Sequence, residues 1–76
     1  MKEILKTIIL NLVDDKEAVE IKEENSEKSV IFEVKVAESD MGKIIGRQGR
    51  VASSIRTVMK SIAGKENKKV TIEFIG

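Results

Sequence analysis

The spacing of apolar residues switches between two periods along this chain, and that switching constrains its fold more than any other feature. Near the N-terminus a helical period predicts a helix over about residues 2–13, from the apolar stripe Ile4, Leu5, Ile8, Ile9, Leu12 and Val13. A period of two follows and predicts strands over about 18–24 and 30–36. The polar stretch Asn25-Ser26-Glu27-Lys28 lies between these strands, so we expect a hairpin.

The second half returns to helical spacing and then to alternation. Ser39 and Asp40 are good N-cap residues, and they predict a short helix over 41–45 that stops at Gly46. A longer helix is expected to begin at residue 49 or 50 and to run to about residue 63. Gly64 then stands where a C′ glycine belongs. Alternation over 70–75 predicts a last strand.

This order of elements predicts an α+β fold. A three-stranded meander would carry the three helices on one face. The opposite face suits solvent, because it would carry Glu20, Lys22, Glu33, Lys35, Thr71 and Glu73. With 76 residues, the chain has room for one small domain, 1–76.

The composition argues against several classes of protein. The chain has no cysteine and no histidine, which excludes disulfides, Cys/His zinc sites and the commonest general base. The pairs Asp14-Asp15 and Glu23-Glu24 have no reason to be buried and so no reason for a shifted pKa, and we expect no enzyme. We also expect no metal and no cofactor. No apolar run approaches a membrane span and the N-terminal segment lacks a signal-peptide cleavage region, so we expect a cytoplasmic protein.

The charges are segregated along the chain. Residues 1–40 carry six lysines and eleven acidic residues, whereas residues 41–69 carry eight basic residues and one acidic residue. The net charge of the whole chain is only +1, but one end of the fold should be strongly basic. A polyanion is the natural partner for such a surface, and a plain solvated charged surface is the alternative.

One short segment between the two later helices carries most of the functional information. Gly46-Arg47-Gln48-Gly49 places two glycines around a basic and a polar residue. Glycines let the backbone turn tightly and approach another backbone. The following helix points its free N–H groups and positive dipole end at this loop. A phosphate fits there, with charge added by Arg47 and Arg50 and an amide by Gln48. A mere tight helix-helix turn is the alternative.

This segment resembles the GXXG loop of KH domains, with the apolar pair Ile44-Ile45 before the first glycine. The element order resembles the bacterial type II arrangement, with a core helix-loop-helix unit over about 29–75. The chain as a whole is similar to the small stand-alone KH proteins of the KhpA type. The resemblance implies an RNA-binding protein, an RNA chaperone or post-transcriptional regulator, whose loop clamps about four nucleotides of single-stranded RNA by their backbone.

The resemblance also implies a set of site residues. The loop residues would hold the RNA backbone, and neighbouring residues would line or floor an apolar groove for the bases. The full set is Gly46, Arg47, Gln48, Gly49, Arg50, Lys43, Gly42, Ile45, Val51 and Ala52. The strand over 30–36, or its exit near Ala37, would face the base edges. With no Tyr, no Trp and only two Phe, aromatic stacking is not expected, which predicts weak and permissive binding.

Other features allow more than one interpretation. Arg56 and Lys60 lie one helical turn apart and would meet RNA, form a solvated face or pair with the acidic first half of the chain. Lys65, Lys68 and Lys69 are better explained as solvated loop lysines. The resemblance further implies a homodimer, or a heterodimer with a larger KH protein of the Jag/EloR kind. A second candidate function is therefore that of a protein-interaction module, which is compatible with RNA binding. Binding of single-stranded DNA is a third candidate.

Overall fold

The computed structural model describes residues 1–75. Within that range the helices are α1 (Lys2–Leu12), α2 (Met41–Ile45) and α3 (Arg50–Lys65), and the strands are β1 (Glu20–Asn25), β2 (Ser29–Lys35) and β3 (Lys69–Ile75). Short 3-10 turns at Lys16–Ala18, Glu38–Asp40 and Arg47–Gly49 precede β1, α2 and α3. The predicted α+β class is confirmed. None of these helices has the length and apolar character that a membrane-spanning helix needs.

The three strands form one mixed sheet in the order β1-β2-β3. β1 and β2 pair antiparallel, with Asn25 opposite Val30, so the predicted hairpin is confirmed. β3 pairs parallel with β2, with Val34 opposite Phe74. The expected meander is therefore wrong at its last step. The chain between β2 and β3 contains α2 and α3, and a parallel connection needs a crossover of this length.

The helices pack on one face of this sheet, and β2 supplies the centre of the core. Val30, Phe32 and Val34 of β2 are fully buried, together with Leu5 and Ile9 of α1. The remaining buried members of this cluster come from the helices, the connections and β3: Val13, Val36, Ile44, Ile55, Met59 and Ile72. Because Phe32 is the largest of these side chains, its replacement by Ala would cost about 3–5 kcal/mol.

The C-terminus of α3 differs from its prediction. Gly64 lies inside the helix, and Asn67 instead adopts the left-handed conformation, with φ of 57°. The N–H of Asn67 donates to the carbonyl of Gly64, and the N–H of Lys68 donates to the carbonyl of Ala63. This pair of bonds is a Schellman motif, in which asparagine is the commonest substitute for glycine. The C′ assignment of Gly64 is therefore wrong.

Asp40 has another role than the predicted helix cap. It stands at the N-cap position of α2, but its side chain makes no capping bond there. Its carboxylate, almost completely buried, accepts hydrogen bonds from the N–H groups of Asp14 at 3.1 Å and Asp15 at 3.0 Å. Asp40 therefore joins the end of α1 to the start of α2, and this contact helps position the helix-loop-helix unit.

Candidate nucleic-acid interface

The loop between α2 and α3 contains backbone conformations that residues with a side chain rarely adopt. Gly46 adopts φ 71° and ψ −178°, a region that is essentially restricted to glycine. A Cβ on Gly46 would also lie 2.8 Å from the Cβ of Val51. Gly49 adopts the left-handed conformation, with φ 74°, but a Cβ there would meet open space. The first glycine is therefore required by conformation and packing, and the second by conformation alone.

Gln48 is the loop residue whose conformation the sequence did not indicate. It lies in the left-handed region, with φ 56° and ψ 26°, although it carries a side chain. A non-glycine residue in this region costs about 1–2 kcal/mol. Gln48 and Gly49 are thus two successive left-handed residues, and they turn the chain sharply into α3. The side chain of Gln48 is exposed at this turn.

The N-terminus of α3 opens directly onto the loop. Its N-cap residue is Gly49, and no side chain makes a capping hydrogen bond there. The N–H of Arg50 donates to the carbonyl of Arg47. In any helix the following first-turn N–H groups lack a partner within the helix. Since α3 is 16 residues long, these groups and the helix dipole can together attract an anion.

Two arginines carry free charge beside this helix end. Arg47 and Arg50 are both exposed. Within residues 1–75 no acidic side chain lies within salt-bridge distance of either guanidinium. Arg50 also lines the side of α3 that faces α1. Both charges are therefore available to a phosphate.

Lys43, in contrast, is engaged within the protein. Its ammonium group forms an ion pair with Asp14 and lies 3.7 Å from a carboxylate oxygen of Asp40. The hydrogen bond to Asp14 raises the pKa of Lys43 above its ordinary value. The N–H groups of Asp15 and Asp14 lower the pKa of Asp40. Lys43 thus holds α2 against the end of α1 and has less freedom than Arg47 to contact a ligand.

The other predicted groove residues differ in their exposure. Ile45 is 42% exposed, whereas its neighbour Ile44 is fully buried in the core. Gly42 is exposed and Val51 is half-buried. Ala52 is buried, with 4% of its surface exposed. Of the apolar candidates, Ile45 is therefore the one most open to a ligand, while Ala52 belongs to the floor beneath the loop.

The strand that borders the helix-loop-helix unit is β3 and not β2. β2 is the central strand, hydrogen-bonded on both sides. The backbone groups of residues 30–35 are hydrogen-bonded within the sheet and cannot face base edges, whereas the alternative, the exit near Ala37, stays a prediction. β3 lies at the edge of the sheet and borders α3. The reason is the parallel crossover, which places the last strand beyond β2 on the side of α3.

Between α3 and β3 lies a basic groove that sequence reasoning left undecided. This α3–β3 groove has a volume of about 260 Å³ and is lined by Arg56, Lys60, Val70, Thr71 and Ile72. Lys68 and Lys69 continue the positive charge towards the start of β3. The signal in the sequence was the spacing of Arg56 and Lys60, four residues apart on one helical face. This spacing could be interpreted as one wall of a groove only once the strand beside α3 was known.

A second groove, on the opposite flank of α3, is mostly apolar. This α1–α3 groove has a volume of about 570 Å³ and is lined by Ile8, Asn11, Leu12, Arg50, Val51, Ser54, Ile55 and Val58. Val58 is 45% exposed, as is Ile4 on α1. α3 therefore separates two concave surfaces of different character, one basic and one apolar.

Comparison with known proteins assigns the chain to a family. Proteins named "RNA-binding protein KhpA" are similar over 75 residues, 99% of this chain. Those of Clostridium acetobutylicum and Caldanaerobacter subterraneus subsp. tengcongensis are 53% and 52% identical, with all of each relative covered. That of Chlamydia trachomatis serovar D is 45% identical, with 96% covered. No solved structure matches the chain.

The family match agrees with the geometry of the loop. Two glycines with positive φ frame an arginine and a glutamine between two helices, before a parallel edge strand. The sequence model of the family described as KhpA/KhpB, KH domain, matches residues 2–74, almost the whole chain. The chain therefore belongs to the KhpA/KhpB family of KH domains.

Proposed function

We propose that this protein binds single-stranded RNA by its sugar-phosphate backbone, at the Gly46–Gly49 loop and the first turn of α3. The observation that carries the proposal is the uncapped N-terminus of α3. It opens onto a loop beside two arginines that have no acidic partner among residues 1–75. Helix N-termini with this geometry favour phosphate. The relatives named RNA-binding protein KhpA, at 53% identity, support the choice of RNA.

In this proposal phosphates and bases contact different parts of the surface. Backbone N–H groups of α3, Arg47 and the amide of Gln48 would hold phosphate oxygens. Ile45 and the α3–β3 groove would receive the bases. Phe32 is fully buried and Phe74 is half-buried beneath Arg56, so neither ring offers an open stacking platform. Base stacking on aromatic residues is worth about 1–3 kcal/mol per base where it occurs, and we therefore expect weak binding with little sequence preference.

The test is a fluorescence titration with a labelled single-stranded RNA. Replacing both Arg47 and Gln48 by Asp should abolish binding, because it puts two carboxylates where phosphates are to lie. Asp tolerates the left-handed conformation at residue 48, so the fold should survive. The single variants Arg47→Asp and Lys22→Asp change the charge by the same amount, and Lys22→Asp is the control because Lys22 is exposed on β1. Equal loss of affinity in these two single variants would contradict a local clamp.

The same site would accept single-stranded DNA if the 2′-hydroxyl is not contacted. Titrations with RNA and DNA oligomers of the same sequence separate these ligands. Equal affinities would assign the site to single strands in general. A clear preference for RNA would support a role as a cytoplasmic RNA chaperone or post-transcriptional regulator.

A second proposal concerns assembly, and the α1–α3 groove supports it. Val58 lines this groove and is 45% exposed, and the equally exposed Ile4 lies one helical turn before the lining residue Ile8 on α1. A domain of 76 residues also gains stability from oligomerisation. We propose that the groove is covered by a second copy of this chain, related by a twofold axis. A dimer would also pair two weak RNA sites and raise their effective concentration. A larger KH protein of the Jag/EloR kind is the alternative occupant.

Sedimentation at micromolar concentration tests this assembly. The wild type should sediment as a dimer, and Val58→Glu should sediment as a monomer. Lys60→Glu, on the other side of the same helix, is the matched control and should leave the dimer intact. A wild-type monomer that binds a larger KH protein through Val58 would assign the groove to that partner.

A complementation experiment separates the two proposed functions. If the variant with Asp at both 47 and 48 no longer binds RNA but still complements a strain that lacks this protein, the protein contact is the main function.

A further inference from the structure

The free edge of β3 exposes backbone groups at alternate residues. The N–H of Lys69 donates to the carbonyl of Lys28, and the N–H of Val36 donates to the carbonyl of Ile75. The odd-numbered residues of β3 therefore point their backbone groups at β2. By the alternation of a strand, the even-numbered residues point theirs away from the sheet. Ile72 lies in the middle of this free edge, within the α3–β3 groove.

Arg56 of α3 reaches this edge and is held there in two ways. Its Nε and one terminal nitrogen donate to the carbonyl of Ile72, at 3.4 and 3.3 Å. Its guanidinium carbon lies 5.2 Å from the centroid of the Phe74 ring, within the range of a cation-π contact. The two contacts restrict both the position and the tilt of an exposed arginine. Its orientation is therefore set before any ligand arrives.

This arrangement leaves one edge of the guanidinium free. Arginine has five N–H donors in a planar fork, and the carbonyl of Ile72 uses the side of the fork that contains Nε. The two terminal nitrogens still present a parallel pair of N–H groups on the other side. Among residues 1–75 no carboxylate lies within salt-bridge distance of Arg56. A pair of donors of this kind fits two adjacent acceptor atoms in one plane.

We propose that Arg56 selects the base bound in the α3–β3 groove and that the preferred base is guanine. Guanine offers O6 and N7 as adjacent acceptors, the pair to which arginine most often binds in nucleic-acid grooves. An unpaired cytosine also offers two adjacent acceptors, N3 and O2, so tighter binding of the C hexamer than of the G hexamer would contradict the choice of guanine. Adenine has an N6 amino donor in place of O6 and would meet the guanidinium with a donor facing a donor. This inference rests on the proposed RNA binding. It adds a preference at one position to binding that is otherwise permissive.

The neighbouring cation cannot supply the same selection. Lys60 lines the same groove, but its ammonium group is a point charge on a flexible stem, without a planar fork. It attracts the phosphate backbone of any sequence equally. The two basic residues of the α3–β3 groove are thus predicted to act differently, Lys60 on affinity and Arg56 on preference.

The experiment measures the affinity of four hexamers that differ at one position, with G, A, C or U in a uridine background. The wild type should bind the G hexamer roughly tenfold more tightly than the A hexamer. Arg56→Lys keeps the charge and removes the fork, so this ratio should fall to about one while affinity for the A hexamer stays within about twofold. Lys60→Ala is the matched control, and it should weaken all four hexamers by the same factor and keep the ratio.

Several results would overturn the proposed role of Arg56, and they can be distinguished from results that would overturn RNA binding itself. Equal binding of all four hexamers by the wild type, or an unchanged ratio in Arg56→Lys, would remove Arg56 as the selecting residue while RNA binding stands. A variant that keeps the ratio but forms larger assemblies would assign Arg56 to protecting the β3 edge from other strands. A wild type that binds no hexamer, or binds equally after the Asp-Asp loop change, would overturn the proposed function and this inference with it.

Discussion

The side chain of Val51 packs against the backbone of Gly46 where a side chain would otherwise stand. A Cβ on Gly46 would lie 2.8 Å from the Cβ of Val51, well inside van der Waals contact. Val51 belongs to the first turn of α3, so this contact fixes the angle at which the helix leaves the loop. Gly46 is therefore needed for the turn and also for the packing that orients the N-terminus of α3.

Replacement of the two glycines by alanine should have unequal effects. Gly46→Ala combines a backbone region costly to other residues, about 1–3 kcal/mol, with overpacking against Val51, about 1–3 kcal/mol. Gly49→Ala has the conformational cost alone, about 1–2 kcal/mol, because space around it is open. Urea unfolding should therefore show a larger loss for Gly46→Ala. Equal losses would contradict the role of Val51.

Gln48 should be a site where glycine stabilises the protein. Its φ of 56° costs a side-chain-bearing residue about 1–2 kcal/mol, while glycine loses about 0.4–1 kcal/mol through its freer unfolded chain. Gln48→Gly should therefore raise the free energy of unfolding by roughly 0.5–1 kcal/mol, as measured by urea denaturation. In the proposed function the same variant binds RNA more weakly, because the amide is lost. A destabilised variant would mean that the Gln48 side chain makes a compensating contact.

Helix and strand positions could be predicted because each apolar stripe has its own period. The short helix at 41–45 and the hairpin between β1 and β2 followed from local patterns. The direction of β3 could not be predicted in this way, because alternation of side chains is the same in parallel and antiparallel strands. The resemblance to KH domains placed the groove for the bases beside β2. The parallel crossover through α2 and α3 brings β3 beside α3 instead.

Side-chain pairing over long sequence distances was equally hidden. Nothing local in the sequence links Asp40 to the N–H groups of Asp14 and Asp15, or Lys43 to Asp14. The contact of Arg56 with Phe74 also depends on tertiary packing.

The predicted end of α3 at Gly64 was wrong because the cost of a glycine inside a helix is small. A glycine inside a helix costs only about 1 kcal/mol, so Gly64 did not stop the helix, and Asn67 supplied the left-handed turn.

Asp40 should make the stability of the protein fall in acid. Hydrogen bonds from the N–H groups of Asp15 and Asp14 lower the pKa of Asp40 below its ordinary value of 3.8. A carboxyl with a lowered folded-state pKa contributes stability that is present above the unfolded-state pKa and is lost as pH falls through the folded-state pKa. The stability difference between wild type and Asp40→Asn should therefore be constant near neutral pH and shrink below pH 3.8.

Chemical denaturation of both proteins from neutral pH to acid measures this difference. Asp14→Asn is the matched control, because Asp14 donates its backbone N–H to Asp40 in either form and its own carboxylate is exposed. It should weaken the ion pair with Lys43 and leave the acid dependence of Asp40 in place. A stability difference between wild type and Asp40→Asn that does not change with acidity would contradict the assignment.

Salt dependence should separate the loop arginine from the remote lysines. Binding to single strands weakens with salt, with a logarithmic slope of about −0.7 for each phosphate contacted. If Arg47 neutralises one phosphate, Arg47→Ala should make the slope less steep by about 0.7. Lys65→Ala, at the other end of α3, is the matched control and should leave the slope unchanged. Titrations at several salt concentrations with one RNA give the slope for each of the three proteins. Equal slopes for wild type and Arg47→Ala would show that Arg47 contacts no phosphate.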